Sequence, residues 1–249
     1  MSLALMSALA LCMVGTAFLS GLFGMAGGLI LIGVLLAIMP VPEAMALHAV
    51  TQMASNGWRA LLWWRHIRPR AALGYMLGSV LALVGWSLFR YVPDKAIAIL
   101  FLGLTPFMVR LLPARFKPDA ARLDHGIAYG AICMTLLLLT GVAGPLIDTF
   151  FLGGKLDRRE IVATKALCQI GGHAGKLIYF TGIAAQAGTI DSVVMLVAIA
   201  ASMIGATVAR RFLEAMTDMQ FRTWAGWIIT AISAFYVVQG LYLLAAPAL

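Results

Sequence analysis

The sequence predicts an all-α polytopic membrane protein built from two repeats, and three observations carry that prediction. Of its 249 residues, 62% are hydrophobic and 11% charged, with a mean hydropathy of +0.96, against a soluble average of roughly half apolar and a quarter charged. Its apolar runs recur at lengths suited to a hydrocarbon core about 30 Å thick, which takes about 20 helical residues to cross. Finally, residues 43–59, EAMALHAVTQMASNGWR, are echoed 117 positions later and without a gap by residues 160–176, EIVATKALCQIGGHAGK. Glu43/Glu160, Ala46/Ala163, Ala49/Ala166 and Gln52/Gln169 are identical, and Arg59 is matched by Lys176. A shared glutamate, glutamine and cation inside apolar sequence indicate a duplicated helix.

Taken in order, residues 3–22 form a first span that begins without a basic segment, so a membrane helix is expected rather than a cleaved secretory signal. It ends in Gly21-Leu-Phe-Gly24-Met-Ala-Gly27-Gly28, after which residues 29–39 resume the apolar run as far as Pro40-Val-Pro42. Lipid cannot satisfy backbone groups freed by such a break, so the segment must be buried in protein or line a wet cavity, as a broken or re-entrant hairpin. Residues 43–65 make the striped helix, closed by the interfacial cluster Trp63-Trp64-Arg65-His66. Residues 70–89 and 96–112 are two further spans, and Gly74, Gly78 and Gly85 in the first suggest a close helix contact.

Residues 113–124, PARFKPDAARLD, form the longest polar stretch and the linker between halves. The plan then repeats: an apolar run over 125–140, a break at Gly141-Val-Ala-Gly144-Pro145, a return over 146–152, and crossings at 160–180, 190–209 and 223–246. The domain reading is therefore a first transmembrane repeat at 1–112, a cytoplasmic linker at 113–124 and a second repeat at 125–249. A hairpin plus three crossings is an odd unit, so the second copy enters the membrane inverted, an arrangement in which transporters build a midplane site from broken helices.

The formal net charge of +8 does not point to nucleic acid, because the basic residues are scattered in short loops rather than gathered on a soluble face. With loop 65–70 facing the cytoplasm, thirteen of the eighteen Lys and Arg fall in inside loops. Both termini are then periplasmic or extracellular, and the expected location is a bacterial inner membrane. Cys12, Cys133 and Cys168 lie in apolar runs without metal-type spacing, and no metal or cofactor is expected. Zinc-protease, nucleophile-elbow and phosphate-loop signatures are absent, which argues against an enzyme and leaves no catalytic residue to assign.

Residues three and four apart share a helix face, so His48, Gln52, Asn56 and Arg59 form one polar stripe and Lys165, Gln169, His173 and Lys176 its counterpart. A charge within the bilayer is costly unless it meets a partner or cavity, which makes Arg59 and Lys176 candidates for binding charge. Snorkelling to an interface is the competing account for both. Gln52 and Gln169 can orient a ligand's oxygens or simply join neighbouring helices. The breaks, through Gly24, Gly27, Gly28 and Gly144, supply helix N-termini that attract anions. His48 can titrate near neutrality, and Asp148 can bind a coupling ion or pair with Lys165 or Lys176, so both are candidates for coupling.

These breaks, the apolar run to Pro42, the Ala-rich helix from Glu43 and their recurrence from Gly141 and Glu160 resemble the TauE/SafE sulfite exporter family of membrane permeases. The resemblance implies secondary transport of sulfite, organosulfonates or related small anions, as an exporter working by alternating access around a midplane site between the repeats. Carried over by position, it points to the first break with Gln52, Asn56 and Arg59, and to the second with Gln169, His173 and Lys176. Expected partners are thus a small anion, the lipid bilayer and, in a permitted arrangement, a second copy of the chain. A non-transporting membrane scaffold, a transporter of small carboxylates and a channel are the alternatives.

Overall fold

The computed structural model describes residues 3–23, 26–111, 113, 118–120, 122–152, 156, 158–184, 188, 191–215 and 218–245. Among them run ten α-helices and no strand: α1 (Leu3–Phe23), α2 (Ala26–Ile38), α3 (Val41–Leu62), α4 (Pro69–Phe89), α5 (Lys95–Arg110), α6 (Leu123–Thr140), α7 (Gly144–Leu152), α8 (Arg158–Ile178), α9 (Ser192–Ala215) and α10 (Asp218–Ala245). Five stretches are long and apolar enough to cross a membrane unaided: Ala4–Phe23, Pro69–Phe89, Leu123–Thr140, Ser192–Ala209 and Gly226–Ala245. The chain is a multi-pass all-α membrane protein.

Local chemistry sets the helix ends. Asp94 caps α5, its Oδ1 accepting from the Ala96 N–H at 2.7 Å, which satisfies one of the donors a helix start leaves free. Pro69 opens α4, where its missing N–H is no loss. At the far end of α6, Gly141 adopts φ +88°, a left-handed conformation that glycine adopts without steric cost, and its N–H reaches the Leu137 carbonyl at 3.0 Å.

Helices pair across the two halves. α1 packs on α9 and α4 on α6, while α3 packs on α8 and α5 on α10; α3 also meets α9, as α8 meets α4. Exchanging each helix for its counterpart in the other half maps this set of pairs onto itself. Both of the first two pairs are close. A Cβ on Gly78 of α4 would run into the Ile127 carbonyl of α6, and one on Gly205 of α9 into the Val14 carbonyl of α1, so each crossing depends on a glycine, though not at matching positions.

α3 and α8 are antiparallel. The N–H of Arg68, just past the end of α3, donates to Thr164 Oγ1 at 2.9 Å, and its guanidinium pairs with Glu160 near the start of α8. At the opposite end, the Gly188 N–H donates to Glu43 Oε1 at 3.1 Å. These two polar helices are enclosed by the apolar ones. Apolar side chains of α4, α9 and α10, such as Leu81, Leu196 and Val238, face outward instead.

Several boundaries differ from those expected. Helix α1 runs through Gly21, whose bare backbone fits against Ala209, so Gly21 serves packing and not the break. The second short helix begins at Gly144 itself, and α9 and α10 extend through much of the expected loop 209–222. Gly85 meets nothing within 4 Å, unlike Gly74 and Gly78, which face α6. Gly24 lies outside the described residues.

Candidate functional site

At the crossing of α3 and α8, the antiparallel register brings the His48 and His173 rings to 5.5 Å between centres at 65°. Four residues forward from His48 and four back from His173 stand Gln52 and Gln169, so the duplicated glutamines face the same point from two helices. They line a small cavity with Ser20 of α1, Gly28 of α2, His48, Asn56 and Arg59 of α3, His173 of α8, and Val142, Ala143 and Gly144 of the second break. The space left is about 20 Å³, room for a water molecule.

Polar groups around this cavity are incompletely satisfied. Ser20 Oγ, Gln169 Oε1 and His173 Nδ1 are buried without a hydrogen-bond partner, and buried polar groups in native proteins are nearly always paired. Arg59 holds its neighbours loosely, with Nη1 at 3.4 Å from Asn56 Oδ1 and Nη2 at 3.4 Å from the Ser20 carbonyl. No carboxylate lines the cavity among the described residues. A ligand with several acceptor oxygens would find donors here in Arg59, the Ser20 hydroxyl and the amides of Gln52 and Gln169.

The glycine positions have separate roles. A Cβ on Gly28 would sit 3.4 Å from the Gln52 amide, in ordinary contact, so Gly28 forms cavity wall; one on Gly27 would collide with the Thr16 carbonyl, so Gly27 lets α2 fold back against α1. At the second break, Lys176 Nζ donates to the Gly141 carbonyl at 3.1 Å and the Val142 N–H to Thr140 Oγ1 at 3.3 Å. The freed backbone is thereby satisfied inside the protein.

Among the described residues, three expected site residues lie outside the cavity lining, Gly27 being one. Lys176 is fully buried behind the cavity wall, where Nζ donates to His48 Nδ1 at 2.8 Å. Asp148 forms an ion pair with Lys165. Ser20, Val142 and Ala143 had not been anticipated. A signal for the last two stands in the sequence: residues 24–30, GMAGGLI, and 141–147, GVAGPLI, share five of seven positions at the same offset of 117. At that offset Gly24 corresponds to Gly141. Ser20 has no such signal.

A "Probable membrane transporter protein" of Xylella fastidiosa (strain Temecula1 / ATCC 700964) is 27% identical over 139 residues, covering 51% of this chain and 51% of that protein. The chain thus spans about half the length of the curated relative it matches. No solved structure matches. The family model "Sulfite exporter TauE/SafE" matches residues 9–236, nearly the whole chain and both breaks with it. With that match laid over this duplicated helical core, the chain belongs to the TauE/SafE sulfite exporter family of membrane transport proteins.

Proposed function

We propose that the protein is a secondary transporter of small sulfur-containing anions, sulfite or organosulfonates, working by alternating access around the cavity between α3 and α8. One observation carries the proposal. Ser20 and His173 have partnerless polar atoms beside a cavity that holds the Arg59 cation and, among the described residues, no carboxylate, and the Gln52 and Gln169 amides line it with N–H donors. Sulfite and sulfonate groups present three oxygens on one centre, so one bound anion can engage several separate donors at once. The cavity must widen beyond about 20 Å³ to admit such an anion, and the two long Arg59 hydrogen bonds are the easiest to exchange for one.

In this reading residues 1–112 and 125–249 are inverted repeats joined by a cytoplasmic linker at 113–124, and a bacterial inner membrane holds the protein with both termini outside. The antiparallel crossing of α3 and α8 and the exchangeable helix pairs support it. Exchange between two states then amounts to the repeats swapping local conformations around Gln52 and Gln169.

The test is binding followed by flux. Melting of the detergent-purified protein is measured with sulfite, thiosulfate, methanesulfonate, acetate and 2-oxoacids, since a ligand of the folded state stabilises it by about 2.7 kcal/mol at a hundredfold excess over Kd. Sulfur anions are expected to raise Tm and to give radiolabel counterflow in proteoliposomes. Arg59→Ala and Gln52→Ala should lose both while remaining folded and inserted. Stabilisation by carboxylates alone would replace the substrate class, and wild-type counterflow in both variants would overturn the site.

A further inference from the structure

We propose that His48, His173 and Lys176 form a proton-binding site that is loaded together with the anion, so that anion and proton cross in the same direction. This rests on the cavity being an anion site. Lys176 Nζ donates to His48 Nδ1 at 2.8 Å, while His48 Nε2 lies 3.0 Å from the Gly28 carbonyl. A carbonyl only accepts, so Nε2 carries the ring hydrogen and Nδ1 is the acceptor. One mobile proton is therefore shared between two basic nitrogens, in a chain of hydrogen bonds from Gly28 in the first turn of α2 to Gly141 at the second break.

His173 is the place for a second proton. It is buried, stands one turn from Lys176 and lines the cavity with an unpartnered Nδ1. Every element around it contributes to the balance. From α8 come Gln169 and Lys176, from α3 His48, Gln52, Asn56 and Arg59, and from α1 Ser20. The second break adds Val142, Ala143 and Gly144, and beside Gly171 and Gly175 the α4 and α6 side chains are Met76, Leu83 and Met134. The nearby acid Asp148 is neutralised by Lys165.

With the cavity empty, the charges on Lys176 and Arg59 oppose another positive charge at His173. An anion in the cavity cancels that opposition and accepts a hydrogen bond from Nδ1–H. Each ligand therefore favours the other, and the coupling is reciprocal. The device is not duplicated. At the offset of 117, His173 corresponds to Asn56, His48 to Lys165 and Lys176 to Arg59, so the set of residues that symmetry would pair with it contains no imidazole.

The experiment measures thiosulfate affinity of the full-length protein by thermal shift from about pH 5 to about pH 8, the range in which imidazoles titrate. Thiosulfate stays a dianion throughout, so any slope belongs to the protein. The wild type is expected to lose affinity with rising pH, approaching tenfold per unit, and an inward-directed proton gradient should drive thiosulfate accumulation in proteoliposomes. His173→Gln and His48→Gln should flatten the slope. A merely structural role would weaken binding equally at every pH and keep the slope. Flat wild-type affinity, or accumulation indifferent to the gradient, would overturn the proposal even if a variant misfolds. Absence of binding by thiosulfate, sulfite and methanesulfonate at every pH is a different result, which removes the anion site itself.

Discussion

Lys176 shows how much a single side chain can be held against its own solvation. It is fully buried, its two partners are an imidazole and a carbonyl, and neither returns a negative charge. Removing it would leave the Gly141 carbonyl and His48 Nδ1 buried without a donor, each a cost of about 1–3 kcal/mol. Lys176→Met is therefore expected to lower Tm in a thermal melt and to abolish counterflow. An unchanged Tm would show that neither acceptor depends on Lys176. The stripe that contains it was legible, because charges and glutamines stand out in apolar sequence. Which side of the stripe faces the cavity was not: Lys176 and His173 are only one turn apart, and the turn of α8 toward His48 is decided by packing. Ser20 was invisible for a related reason. A hydroxyl in an apolar helix usually bonds its own backbone, as Thr16 does to the Cys12 carbonyl at 2.8 Å, and the absence of any partner for Ser20 Oγ exists only in the folded chain.

At the scale of elements, the helix crossings and the breaks are governed by different glycines. Gly78 and Gly205 sit against carbonyls of α6 and α1, whereas Gly85 touches nothing. Gly78→Val and Gly205→Val are expected to cost similar amounts, roughly 1–3 kcal/mol each by overpacking, and to lower Tm alike. Gly85→Ala should raise it slightly, since alanine is favoured over glycine inside a helix by about 1 kcal/mol. Unequal losses from the two valine variants, read in the same melt, would show that the two crossings do not depend alike on their glycines. The sequence reading recovered the ten segments because apolar length and glycine clusters mark them. It placed the end of α1 within one residue but counted Gly21 in the break, where the structure sets Gly21 against Ala209 as a packing position. It also ended α9 too early. Arginine has good helix propensity, so a helix readily continues through Arg210 and Arg211 after the apolar run ends.

For the whole molecule, the exchangeable set of helix pairs makes a prediction about sidedness. In a variant without native cysteines, Ile67→Cys and Asp119→Cys should react with an impermeant reagent only from the cytoplasmic face, and Val92→Cys and Gly188→Cys only from the outside. The reverse pattern would invert the orientation without touching the fold, and labelling of Ile67→Cys and Val92→Cys from one face would break the repeat scheme. The pairing of α1 with α9 and of α4 with α6 also bears on how the protein is made. During synthesis α1 enters the membrane first, and its partner emerges only after seven further helices. Until then the close-packing face of α1 is left to lipid, and the first half alone cannot assemble the contacts that enclose α3. Completion of the core is thus a late event in the life of the nascent chain, and a ribosome that stalls in the linker leaves behind a membrane-inserted fragment for quality control to remove.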